Sequence, residues 1–72
     1  MPRDPRQSYR FVSDRLRERI QAGEWIKGQQ LPTTRELADS YDVSLPTITK
    51  ALRVLGDEGL IEILPGWGIF RA

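Results

Sequence analysis

The chain contains no cysteine and no histidine. The first absence rules out disulfides and thiolate-bound metal. The second removes the side chain most often used as a general base and metal ligand. No stretch approaches the ~20 consecutive apolar residues of a membrane-spanning helix. The opening MPRDPRQ carries charge with no apolar run behind it, so no secretory signal is read there. Nor is there a phosphate-cradling loop or a pair of carboxylates at a spacing suited to acid–base work, and enzyme chemistry is not expected. Seventy-two residues leave room for one small domain, whose core rarely supplies more than about 3–5 kcal/mol. These exclusions point to a soluble, cytoplasmic domain without catalytic residues, metal or cofactor.

What is present is organised around residues 31–59, LPTTRELADSYDVSLPTITKALRVLGDEG. Thr33 and Glu36 have the spacing of a capping box, so a helix is expected to start there, with Leu37, Ala38 and Tyr41 on its apolar side. Asp42-Val43 reads as a tight turn. Ser44 can cap a second helix through the Thr47 N–H, and Pro46 falls in the first turn, where a missing N–H costs little. Ile48, Leu52 and Leu55 then recur at helical spacing beside Ala51. Two short helices with so small a joint are expected to cross steeply, as in a helix-turn-helix, whose second helix enters the DNA major groove.

The flanks complete the picture. Residues 1–7 read as a flexible, solvated tail rather than a basic arm through Arg3 and Arg6. From Ser8, a possible cap, to Ala22 a helix is expected, with Tyr9, Val12, Leu16 and Ile20 on one face, Phe11 beside it and Gly23 as its stop. Arg15, Arg17 and Arg19 read as its solvated face. In the loop EWIKGQQ, Trp25 and Ile26 are expected to cover the edge of the core, and Leu31 can make at most one short bridge to the later hairpin. Gly59 should stop the third helix, with Leu60 folding back on Leu55. Gly56 in the helix interior and Asp57 and Glu58 at the negative end of its dipole have no local rationale. Leu60 to Arg71 reads as a hairpin with Pro65-Gly66 at the centre of a type II turn. The expected fold is mainly α with a small β-hairpin, three helices and a two-stranded wing: a winged helix-turn-helix over residues 8–72.

Net charge is +1, but its distribution is uneven. Residues 31–72 hold four basic side chains (Arg35, Lys50, Arg53, Arg71) and six acidic ones, a balance of 4 − 6 = −2. DNA binding therefore requires the few cations of this half to gather on one face. Thr47, Thr49, Lys50 and Arg53 lie off the Ile48–Leu52–Leu55 stripe, and Lys50 and Arg53, three residues apart, share a face. Leu45 and Pro46 can touch a thymine methyl or simply shape the helix start. Trp67 can meet DNA from the wing tip or fold back on Trp25 or Ile63. A winged helix can also serve as a protein-interaction module without direct DNA binding, and the acidic residues between 57 and 62 would suit that use.

The order of motifs resembles the N-terminal DNA-binding domain of the gluconate-repressor (GntR) family of bacterial transcription regulators. The resemblance rests on Tyr9-x-x-Val12-x-x-x-Leu16-x-x-x-Ile20-x-x-Gly23, on Leu31-Pro32-x-x-Arg35-Glu36-Leu37-Ala38, on Val43-Ser44 and on Thr47-Ile48-Thr49-Lys50-Ala51-Leu52. Leu55, Glu58-Gly59-Leu60-Ile61 and Gly66-x-Gly68-x-Phe70 continue it, so that it covers residues 9–71. It implies transcription regulation through sequence-specific binding of double-stranded DNA. It also implies contacts from Arg35, from the start of the third helix (Ser44 to Lys50) and from a wing-tip glycine, Gly66, in or near the minor groove. Where many members carry arginine after the Val-Ser pair, this chain has Leu45-Pro46; where many carry lysine or arginine between the wing glycines, it has Trp67. The family usually adds an effector-binding, dimerising domain after the wing. This sequence stops at Ala72, as either an excised domain or a small protein would. Nothing in it reads as a dimer interface of standard size, so the expectation is a monomer in free solution that pairs, if at all, as a homodimer on DNA, with no membrane or metal partner.

Overall fold

The computed structural model describes the backbone of residues 5–72 and the side chains from Tyr9 onward. Three helices, α1 (Pro5–Gln21), α2 (Thr34–Tyr41) and α3 (Leu45–Asp57), precede a hairpin of β1 (Ile61–Leu64) and β2 (Gly68–Arg71). This is the winged helix-turn-helix that the motif order predicts. Helix α1 begins at Pro5, three residues before the expected cap, so Ser8 lies inside it and residues 5–7 are helical rather than part of a tail. Proline suits a first helical position, because its missing N–H would be unpaired there anyway. The tail reading of residues 1–4, with Arg3, lies outside the described residues.

The caps follow the sequence. The Thr33 Oγ1 accepts from the Glu36 N–H at 3.1 Å while Glu36 Oε1 accepts from the Thr33 N–H at 2.9 Å, a closed capping box. Ser44 Oγ accepts from the Thr47 N–H at 3.4 Å, with Pro46 in the first turn. Helix α3 ends as expected: the N–H groups of Leu60 and Gly59 reach back to the carbonyls of Leu55 and Gly56 at 3.1 and 3.0 Å, with Gly59 at φ 78°. That φ is open to glycine at no steric cost. Helix α2 closes the same way through Asp42, at φ 55° and ψ 48°, whose short polar side chain tolerates the left-handed region. This residue makes the tight joint between α2 and α3.

One core holds the elements together. Val12, Leu16 and Ile20 of α1 are buried with Leu37 and Ala38 of α2, with Ile48, Ala51, Leu52 and Leu55 of α3, and with Trp25, Leu31, Ile61 and Ile69. The strands pair antiparallel, Ile61 with Arg71 through Leu64 with Gly68. A third segment joins on the far side of β2: Gln30 bridges Phe70, and the Leu31 N–H donates to the Ile69 carbonyl at 2.8 Å. The expected single bridge thus forms one residue earlier than Leu31, and it anchors a hairpin that would be marginal alone. Trp25 covers the core edge, but Ile26 is 72% exposed, against expectation. Its N–H is held by the Gln29 side chain at 3.0 Å in a small turn that points it away while Trp25 takes the inward place.

Two stability measurements check this packing. Leu52 is 2% exposed, so Leu52→Ala is expected to cost about 2–5 kcal/mol in chemical denaturation. An unchanged midpoint would show that the face is wrong. A Cβ at Gly56 would meet only Ile63 Cδ1 at 3.9 Å and the Ile61 carbonyl at 4.0 Å, ordinary contacts. Gly56→Ala should therefore raise stability by roughly 0.5–1 kcal/mol, read as a higher Tm.

Candidate nucleic-acid interface

Helix α3 buries one stripe and turns the opposite one outward. Pro46, Lys50, Arg53 and Asp57 fall on the outer stripe, with Leu45 and Thr49 on its flank, and all are exposed. Together with Tyr9 of α1 and Val54 they line a shallow depression along α3. The structure thus brings together Leu45, Pro46, Thr49, Lys50 and Arg53. Ser44 and Thr47 stand at the start of the same helix and bond to each other. The Thr47 N–H is taken by Ser44 Oγ, and the two hydroxyls lie 3.0 Å apart.

Arg35 is exposed in the first turn of α2. Its neighbour Glu36 spends an oxygen on the Thr33 N–H, and among the described residues Arg35, Lys50 and Arg53 form no ion pair. Gly66 and Trp67 sit at the tip of the hairpin, outside the α3 depression. The Trp67 N–H donates to the Leu64 carbonyl at 2.9 Å and Gly66 has φ 82°, the type II turn expected of Pro65-Gly66. Trp67 is 79% exposed, so its indole does not fold back on Trp25 or Ile63.

Tyr9 was legible only as part of an apolar stripe. In the structure its ring lies under the Lys50 ammonium, 4.9 Å from the ring centre, a cation–π contact between α1 and α3. A tyrosine at the outer end of a stripe, where its hydroxyl can stay wet, was the one available hint. Asp57 adds a negative charge to the outer stripe, but eleven residues after Pro46, roughly 16 Å along the axis. The exposed cations of this stripe are Lys50, near the middle of α3, and Arg53, about one turn before Asp57.

Arg15, Arg17 and Arg19 of α1 are engaged within the fold. The Arg17 Nε and Nη2 donate to both oxygens of Glu58, at 2.7 and 2.6 Å, and its Nη1 donates to Asp14 at 2.8 Å. Arg19 binds Glu24, donates to the Tyr41 hydroxyl at 3.0 Å and stacks over Trp25 at 4.8 Å. Arg15 pairs with Glu18 at 3.7 Å. Glu58, without a local rationale in the sequence, is thus the far end of a bidentate bridge from α1 to the end of α3. No helix among the described residues is long and apolar enough to cross a membrane, and no acidic cluster among them has metal-ligand geometry.

The family model "Bacterial regulatory proteins, gntR family" matches residues 8–70. Among curated proteins, the chain is 36% identical over 66 residues to the Exu regulon transcriptional regulator of Escherichia coli, covering 92% of this chain and 26% of that one. It is 39% identical over 62 residues to the mannosyl-D-glycerate transport/metabolism system repressor MngR of the same organism, covering 86% and 26%. It therefore spans about a quarter of the length of these relatives. Among solved structures, AraR(DBD) in complex with operator ORX1 superposes with TM-score 0.87 at 34% identity, over 90% of this chain and 78% of that one. The possible transcriptional regulator YydK from Bacillus subtilis gives 0.82 at 31%, over 89% and 28%.

The α1–α3 bridge yields a pH signature. Hydrogen bonds from Arg17 hold the Glu58 carboxyl below its ordinary range. A carboxyl lowered in the folded state adds stability above its unfolded value and loses it as pH falls through the folded one. Glu58→Gln should therefore melt below wild type at neutral pH, and the gap should close in acid below the carboxylate range. A gap that persists unchanged in acid would assign the effect to something other than this charge.

Proposed function

The chain belongs to the gntR family of bacterial regulatory proteins, and from that premise we propose that residues 8–72 bind a specific duplex DNA sequence to regulate transcription, with α3 in the major groove and the wing against the minor groove. The observation that carries this reading is the superposition, at TM-score 0.87 and 34% identity, on a domain solved in complex with operator DNA. The outer face of α3 supports it independently, since Lys50 and Arg53, which form no ion pair among the described residues, lie on the stripe turned away from the core. The protein-interaction alternative has no comparable support.

In this reading Arg35 meets a phosphate where α2 crosses the backbone. Ser44 and Thr47 fix the start of α3, and Leu45, Pro46, Thr49, Lys50 and Arg53 face the groove. Gly66 lets the wing approach closely, and Trp67 stacks on sugar or enters the minor groove. Residues 1–72 are assigned the DNA contact, and an effector would need a second domain. Two copies would pair on half-sites about one or more helical turns apart. The site of action is the bacterial cytoplasm, where the chromosome lies.

Titration of a duplex selected from a random pool, at several salt concentrations, tests the assignment. Arg35→Ala should weaken binding to all sequences and flatten the log–log salt slope by about one unit. Lys50→Ala should do the same or cost ~1–3 kcal/mol at one base pair. Wild-type binding by both folded variants would overturn this face and favour the protein-interaction reading.

A further inference from the structure

The side chains at the start of α3 differ in kind from those that follow. Leu45 is 44% exposed and Pro46 is exposed beside it. Neither can donate or accept a hydrogen bond through its side chain. The nearby hydroxyls pair with each other: Ser44 Oγ takes the Thr47 N–H, and its hydroxyl lies 3.0 Å from that of Thr47, which leaves one O–H proton free between them. The first cation, Lys50, has its ammonium over the Tyr9 ring, and Arg53 follows nearly a turn later. The leading turn and a half of the helix thus offers a base edge two apolar side chains and Thr49, with its methyl and hydroxyl. It presents no guanidinium fork of the kind that reads the two acceptors of guanine.

Resting on the DNA-binding reading above, we propose that Leu45, Pro46 and Thr49 read thymine 5-methyl groups in the major groove, so that the sequence recognised is A·T-rich opposite the start of α3. Thymine is the one standard base with an apolar group on that edge. Placing its methyl against Leu45 and Pro46 removes apolar surface on both partners from water. A cytosine or guanine edge there would lose water from polar groups without gaining a partner. Lys50 and Arg53 flank the apolar patch and supply the attraction to the backbone that brings it into the groove.

The test is atomic. Duplexes are selected from a random pool with the intact chain, and thymines of the selected half-site are replaced one at a time by uracil, which lacks only the methyl. One or more replacements should weaken binding about three- to fivefold, the worth of one buried methyl. Leu45→Ala or Thr49→Ser should lose sensitivity to uracil at its own position, a coupling that a general loss of affinity would not give. Both positions are exposed, and unchanged melting would confirm that the variants fold. Equal affinity for thymine and uracil at every position, or a selected site without A·T pairs opposite α3, would overturn the methyl readout while leaving DNA binding intact. Uracil sensitivity retained in full by both variants would overturn the assignment to these side chains. Failure to bind or enrich any duplex would overturn the proposed function and this inference with it.

Discussion

Everything in this domain depends on how α3 is seated. Its inner stripe, Ile48, Ala51, Leu52 and Leu55, is buried against Val12, Leu16 and Ile20 of α1 and against Leu37 and Ala38 of α2. A helix packed this closely has one rotation about its axis, because interiors tolerate few voids. Fixing the inner stripe fixes the outer one, and with it the direction in which Leu45, Pro46, Thr49, Lys50 and Arg53 point. The core is small, so the same apolar side chains supply stability and aim the interface.

The arrangement also resolves a conflict in the charges. The half of the chain that carries the helix-turn-helix has more acids than bases, but two of its six acids are engaged within the fold. Glu36 closes the cap of α2, and Glu58 is held by Arg17 of α1. Asp57 lies at the far end of the outer stripe, away from Lys50. Two arginines of α1 that read as a solvated face in sequence serve as ties: Arg17 to the end of α3, and Arg19 to Glu24, Tyr41 and Trp25. Arg35, Lys50 and Arg53, the cations of α2 and α3, form no ion pair among the described residues and are available to meet a polyanion.

Much of this was legible in residues that act within a turn of themselves. Thr33 with Glu36, Ser44 with Thr47, Gly59 with Leu60, and Pro65-Gly66 are local devices, and local geometry decides them. What was hidden depends on partners far along the chain. Arg17 and Glu58 are 41 residues apart, so nothing near Glu58 announces its partner. The stacking of Lys50 on Tyr9 likewise needs α1 and α3 to be docked first. The early start of α1 is hidden because Pro5 reads in sequence as part of a tail, although proline is equally at home in a first helical turn. The sequence offers both Trp25 and Ile26 to the edge of the core, and only Trp25 covers it, with Ile26 left 72% exposed.

The central claim is that one face, made of the α2 start, the outer side of α3 and the wing tip, meets duplex DNA. The most direct measurement is amide chemical-shift mapping of the isotope-labelled chain titrated with a selected duplex. The account predicts the largest changes at residues 34–36, 44–53 and 66–68, with the amides of Arg17, Glu18 and Glu24 on the opposite ties scarcely moved. Changes centred instead on the outer side of α1, with α3 and the wing unaffected, would contradict it.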